Sequence, residues 1–315
     1  MSGESATSTN PGLSNSGSTK PLETGRLSRL LQRSEAARGF SLLSPTLLIM
    51  FIGVAVPFGI LIVMSFWTQL GFNFDTSLTL ANYESFGERA IYGALLKRSL
   101  WMSSAATIAT VLLCYPMAYF VAFHIHRNKM IWIVLITLPF WTSYLLRVFA
   151  WKVVLGYEGV INSALMHLGL IKAPLEFLLY SQSAVVITLA HAWAAFAILP
   201  MYVSLEKIDK SLLEAATDLG DGPVRRFFRI TLPLSLPGVI SASLLIFIPT
   251  TGDYITPALL GGPDGAMIGN LIQKQFGAIN NWPMGATLSI ILMLSIATIA
   301  LVFMFATNFV RKRIS

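Results

Sequence analysis

Apolar positions in this chain fall in long blocks rather than in stripes or alternating runs. Six windows, at 42–66, 99–123, 131–155, 183–205, 238–260 and 285–309, each approach the roughly 20 apolar residues that a hydrocarbon core of about 30 Å demands of a helix. Backbone groups inside that core have no water to bond. Runs of this length therefore predict helices, since barrel strands would be shorter and would alternate. The pattern predicts an all-α membrane protein with six transmembrane helices.

The connections differ in character. Residues 67–98 are a polar loop and 124–130 a tight turn, while 159–168, within the loop 156–182, read as a short interfacial helix. The connection 206–237 is the most charged stretch, with Glu206, Asp209, Glu214, Asp218 and Asp221 against Lys207, Lys210, Arg225, Arg226 and Arg229. A polar insertion of this kind between two helix pairs predicts a docking element. Residues 1–40 divide from the six-helix domain 41–315 as a Ser/Thr/Gly-rich tail of disordered composition. The tail closes on a basic amphipathic segment in which Leu27, Leu30 and Leu31 lie beside Arg26, Arg29 and Arg33.

Composition sharpens this picture. Only 12% of the residues are charged, about half the share in a soluble domain, and 55% are hydrophobic. The net charge of +7 would suggest a nucleic-acid partner if it were spread evenly. With the N-terminus in the cytoplasm, however, the inside segments carry 15 of the 22 Lys and Arg residues, and the outside loops balance to zero. The excess is thus a topology signal that places both termini inside and argues for no nucleic acid. Cys114, the single cysteine, falls within the second window and reads as a packing residue.

No G-x-x-x-x-G-K-[ST] loop is present, so ATP binding by that route is not expected of this chain. Neither an H-E-x-x-H motif nor a Cys/His cluster offers a metal site, and no cofactor is implied. The informative stretch is 211–233, SLLEAATDLGDGPVRRFFRITLP. Ser211 with Glu214 has the spacing of a capping box, and Leu212, Ala215, Ala216 and Leu219 recur at helical spacing on one face. Gly220 to Pro223 predict a sharp stop, after which a short basic-aromatic helix leads to Pro233 and Pro237 at the start of the fifth span.

The pattern E-A-A-x3-G-x9-I-x-L-P, matched by Glu214, Ala215, Ala216, Gly220, Ile230, Leu232 and Pro233, resembles the signature of inner-membrane permease subunits of binding-protein-dependent ABC importers. The resemblance runs from about residue 42 to the C-terminus and implies the type I permease fold. It also implies that this segment is a coupling helix seated on a dimer of ATPase subunits. Further expected partners are a second permease subunit, a periplasmic or extracellular solute-binding protein and the lipid of the bacterial inner membrane. Within that family the stretches 138–147 (LPFWTSYLLR), 247–254 (FIPTTGDY), 259–264 (LLGGPD) and 267–269 (MIG) are similar to spermidine/putrescine permeases. Permeases for opines, amino acid derivatives and ferric iron are related. A self-sufficient secondary transporter is the other class that intramembrane charges allow.

The residues placed inside the spans point the same way. On the sequence, Asp253 falls halfway along the fifth window, where an isolated charge costs roughly 2.5–3.5 kcal/mol and is expected to face a polar pathway or a partner. Pro249, Gly252 and Pro257 flank it and predict a break that turns carbonyls toward a cavity. A carboxylate with carbonyls suits an ammonium group, and Trp141, Tyr144 and Tyr254 could add cation-π attraction. The alternative is that Asp253 pairs with Arg147, at similar depth, and that the aromatic residues are packing or interfacial.

Overall fold

The structure, a computed structural model, describes residues 35–314. The tail and basic segment expected over 1–40 lie outside the described residues as far as position 34, and residues 35–40 are already helical. The first helix, α1 (Glu35–Ser65), carries Pro45 and Pro57. Its residues up to Phe58 form one unit, an apolar helical segment with mostly exposed side chains, and the chain from Gly59 onward forms a second.

A hairpin of β1 (Thr68–Leu70) and β2 (Asn73–Asp75) follows, with α2 (Ala81–Glu88) after it. The second span is α3 (Ala90–Phe123), continuous despite Pro116. The third and fourth are broken. A 3-10 turn, Leu138–Trp141, with Pro139 in its first turn, separates α4 (Lys129–Thr137) from α5 (Tyr144–Val154), and the two arms bend by 82°. The short helix expected at 159–168 is α6 (Val160–His167). In the fourth span α7 (Gln182–Ala192) and α8 (Ala194–Glu206) meet at 49° around Trp193. Among the described residues, four helices cross on length and composition alone, and six spans result when each bent pair counts as one.

The predicted fifth window, 238–260, is displaced. After α9 (Lys210–Asp218), one helix, α10, runs Pro223–Thr251, so the span begins with the basic-aromatic segment instead of after it. Residues Phe227–Thr231 form a π-helical turn that carries the helix into Pro233, and Pro237 is accommodated farther along. Beyond Thr251 the chain breaks at Gly252 to Tyr254 and passes through a second π turn, Pro257–Gly261. It continues into α11 (Ile268–Phe276) and the last span, α12 (Trp282–Ile314).

Small side chains are prominent where the second, fourth and fifth spans pack together. Cys114, Ala118, Ala122, Ala197, Ile198, Met201, Ala242 and Ile246 are buried in one cluster shared by α3, α8 and α10. Lipid tails are as apolar as leucine, so helices in a bilayer gain by close backbone approach, which small residues permit. Gly238 is the extreme case: a Cβ there would overlap the Ser204 side chain and lie 2.6 Å from the Pro200 carbonyl oxygen of α8.

Candidate functional site

Two regions of α10 matter, one at each end. At its start, α9 and the first turns of α10 form a helical hairpin. Its cap differs from the expected Ser211–Glu214 box. Asp209 is the cap, with its Oδ1 accepting the Ser211 backbone N–H at 2.9 Å, because the helix begins at Lys210. That bond holds the Asp209 carboxyl below the usual carboxylate range. The stop is as expected: Gly220 takes φ +86°, with the Gly220 N–H on the Thr217 carbonyl at 2.9 Å and the Asp221 N–H on that of Ala216 at 2.9 Å.

The expected single face of α9 divides in two. Ala216 is buried, whereas Leu212, Glu214, Ala215 and Leu219 are exposed. The buried alanine lets α9 lie close to the second arm, and the other set is open to solvent in this chain. A recess of about 580 Å³ beside Leu212 continues between α8 and α10, lined by Pro200, Lys207 and Pro237 among others. Ile230, Leu232 and Pro233 are half-buried in the arm that enters the membrane, with Leu232 packed on the α3–α8–α10 core.

Three contacts invisible in the sequence motif stiffen the hairpin. Asp221, with 7% of its side chain exposed, pairs with Arg225 at 3.2 Å and Arg229 at 3.4 Å. Arg226 donates to the Thr217 hydroxyl at 2.7 Å. Phe227 then wedges edge-on against Tyr115 and Tyr119 of α3, at centroid distances of 5.8 and 6.1 Å, while the Tyr115 hydroxyl bonds Ser235 at 2.7 Å. The i, i+4 spacing of Asp221 and Arg225 was the one local signal available.

At the other end of α10 the breaks of the third, fourth and fifth spans come together. Asp253 does not lie halfway along a span. It follows the helix end at Thr251, because the span starts earlier than the apolar window suggests. The Tyr144 hydroxyl, at the start of α5, donates to Asp253 Oδ2 at 2.5 Å and lies 2.6 Å from Thr256 Oγ1. Asp253 Oδ1 accepts the Ile255 N–H at 2.9 Å. Trp193, at the break of the fourth span, stands 6.2 Å from the Tyr144 ring.

Arg147 does not pair with Asp253; its Nη1 donates to the carbonyls of Phe140 at 2.7 Å, on the 3-10 turn, and Thr142 at 2.6 Å, just past it. The guanidinium replaces helix bonds lost at the 82° bend and lies 5.9 Å from the Tyr144 ring. Trp141 is exposed and Tyr254 half-exposed, and neither joins the cluster; Tyr254 lines a separate cavity of about 470 Å³ with Gly252, Gly269, Gln273 and Phe276. The carbonyls freed at the break are largely covered. Those of Gly252 and Asp253 would lie 2.7 and 2.8 Å from a Cβ at Gly269, and that of Tyr254 accepts the Asn270 amide at 2.8 Å. Sequence reasoning missed Thr256 and Trp193, which no spacing rule links to Asp253.

The site is thus a half-buried carboxylate with both oxygens engaged once, set among a phenol, a threonine and an indole where three spans lose their helical bonds. Irregular backbone at this depth is tolerated where it is enclosed by protein or lines a polar pathway. The chain is a multi-pass helical membrane protein with broken spans and a rigid polar hairpin on one of them. It belongs to the family of binding-protein-dependent transport system inner membrane components, whose model matches residues 35–315.

Its relatives include the spermidine/putrescine transport system permease protein PotB of Haemophilus influenzae, 36% identical over 83% of this chain and 91% of that one. The protein of the same name from Escherichia coli is 38% identical over 75% of this chain and 85% of that one. Among solved structures, a bacterial alginate ABC transporter in complex with alginate pentasaccharide-bound periplasmic protein is similar over 92% of this chain and 98% of that one. Its TM-score is 0.68 at 18% identity, a likeness of fold. The chain is therefore a multi-pass inner-membrane permease subunit of an ABC importer, with the type I permease fold.

Proposed function

We propose that this permease forms half of the pathway for ATP-driven uptake of a polyamine, of the spermidine/putrescine class. The observation that carries the cargo assignment is the Asp253 carboxylate, held by Tyr144 beside Trp193 at the meeting of three broken spans. A carboxylate among aromatic rings attracts a desolvated alkylammonium group through both charge and ring quadrupole. The names of the PotB relatives agree with that chemistry.

The partners are a dimer of ATPase subunits, a second permease chain and an extracytoplasmic solute-binding protein, with both termini of this chain cytoplasmic. The exposed face of Leu212, Glu214, Ala215 and Leu219 docks on an ATPase subunit. Closure of the ATPase dimer pushes the hairpin, which Asp221, Arg225, Arg226 and Arg229 keep from flexing. At 1.5 Å per residue, α10 carries that displacement about 40 Å to Gly252 and Asp253. Glu214, Ala215, Ala216, Gly220, Ile230, Leu232 and Pro233 serve this coupling, while Asp253 and Tyr144 contact cargo. Arg147 shapes the bend, and Trp141 and Tyr254 lie along the route outside the Asp253 cluster.

The test is uptake of labelled spermidine and putrescine by proteoliposomes holding this chain with its second permease and ATPase, loaded from a purified binding protein. ATP-dependent uptake should be abolished by Asp253→Asn while the subunits still co-purify. Equal uptake by both versions overturns the assignment of Asp253. Uptake driven by an ion gradient with this chain alone overturns the ATP-driven reading.

A further inference from the structure

Immediately beyond the first span the chain builds an element that the coupling and cargo roles proposed above do not use. Strands β1 and β2 pair in the register Thr68 with Asp75, Gln69 with Phe74 and Leu70 with Asn73, so Gly71 and Phe72 form the tip. The tip is apolar and open: Phe72 is 91% exposed, and Leu70, Leu78 and Leu80 are also exposed. From Phe66 to Phe74 there is no charged residue.

The base of this hairpin is fixed to the ends of two spans. Asn82 donates to the carbonyls of Ser65 at 3.1 Å and Trp67 at 2.7 Å, and the Ser65 hydroxyl lies 2.8 Å from that of Tyr83. Thr287, one to two turns into α12, donates to the Ser65 carbonyl at 3.1 Å. The hairpin thus starts at the level where the first and last spans leave the hydrocarbon, and its three-residue strands reach only about 10 Å from there. That distance is comparable to the headgroup layer flanking a bilayer core.

The backbone of the tip is prepared for a place poor in water. Gln69 Nε2 donates to the carbonyls of Gly71 at 2.8 Å and Asn73 at 3.3 Å, closing the turn from within. The one carboxylate nearby, Asp75, accepts the Ser77 N–H at 3.0 Å at the base of the hairpin. The bonded Gly71 and Asn73 carbonyls and the exposed Phe and Leu side chains suit an element seated at the lipid boundary, where aromatic residues are favoured, although Gln69 Oε1 is buried without a hydrogen-bond partner.

We infer that the β1–β2 hairpin, with Leu78 and Leu80, is an interfacial anchor that inserts Phe72 into the headgroup and upper acyl region of the leaflet where the first span ends. The occupant of this apolar surface is lipid, because the hairpin follows directly on the exposed apolar side chains Ile60, Ile62 and Val63 at the end of that span and carries no charge from Phe66 through the tip to Phe74, with Asp75 at its base. The anchor fixes the height of the first and last spans against the bilayer. It does not depend on the identity of the cargo.

The test is spin labelling of the full chain, with its partner subunits, at Phe72→Cys and separately at Leu78→Cys. The membranes are proteoliposomes of phosphatidylethanolamine and phosphatidylglycerol. Cys114 is buried and stays unlabelled. The exposed loop position Lys172→Cys is the aqueous reference. Collision of the label with oxygen relative to a water-soluble nickel chelate should be several-fold higher at 72 and 78 than at 172. An equal ratio at the three sites overturns the anchor. A label at 72 that stays water-accessible until the solute-binding protein is added, and is then immobilised, overturns it in favour of a protein-docking surface.

Discussion

Tyr144 and Asp253 are joined across two broken spans by a hydrogen bond of 2.5 Å, although they lie 109 residues apart. The same hydroxyl reaches Thr256, so one phenol ties the start of α5 to both sides of the break that follows α10. Tyr144→Phe removes both links and leaves the carboxylate with the Ile255 N–H alone. A bond to a charged group contributes roughly 1.5–3 kcal/mol. The variant is expected to unfold at a clearly lower temperature in detergent and to bind polyamine less tightly. An unchanged melting temperature would show that the link contributes nothing to stability.

Gly220 should respond to backbone strain rather than to crowding. Its φ is +86°, and a Cβ there would meet nothing within 4 Å in this chain. Gly220→Ala is expected to cost about 1 kcal/mol, with Gly220→Val costing more, since branched residues avoid this conformation. Both should reduce transport per ATP hydrolysed more than they reduce the amount of protein in the membrane. The measurement is the ratio of uptake to ATPase rate in the reconstituted complex.

The hairpin formed by α9 and the start of α10 carries a pH dependence through Asp209. Its carboxyl is held below the ordinary value by the Ser211 N–H. A depressed carboxyl contributes stability above the unfolded value and loses it as pH falls through the folded one. The cap is therefore intact at neutral pH and is lost only in acid, below the ordinary carboxylate range. Asp209→Asn keeps an acceptor and should abolish this acid dependence while sparing coupling at neutral pH. Asp209→Ala should weaken coupling at every pH, read as uptake per ATP.

Gly238 marks the closest approach of α8 and α10. Adding one methyl group by Gly238→Ala forces it against Ser204 and the Pro200 carbonyl. Overpacking of this kind costs typically about 1–3 kcal/mol. Thermal unfolding in detergent should show the loss, and Ser204→Gly should restore part of it by removing the side chain in the way.

Much of the fold was legible because it is written locally. The number of spans, the short helix Val160–His167, the stop at Gly220 and the burial of Cys114 follow from apolar run length, turn residues and side-chain size. Errors arose where an apolar window was equated with a helix. The stretch 238–260 is apolar throughout, yet the helix occupies Pro223–Thr251, since the amphipathic first turns continue into it through a π turn and the break follows Thr251. The cap moved from Ser211 to Asp209 for a related reason: both residue types cap well, and only the position of the first helical turn chooses between them.

The sequence by itself determined a six-span helical chain and a capped, glycine-stopped hairpin of the importer type, because hydrophobic length and turn chemistry act over neighbouring residues. Only the tertiary structure decided which groups Asp253 bonds to. It stands at the far end of the helix that the hairpin begins, bonded to Tyr144, while Arg147 turns to the carbonyls of its own bend. Those pairings depend on which broken spans meet, and the packing of Val148 of α5, Val185 and Leu189 of α7 and Leu260 beyond α10, with Tyr144 and Trp193 against them, sets that meeting at a range no local periodicity encodes.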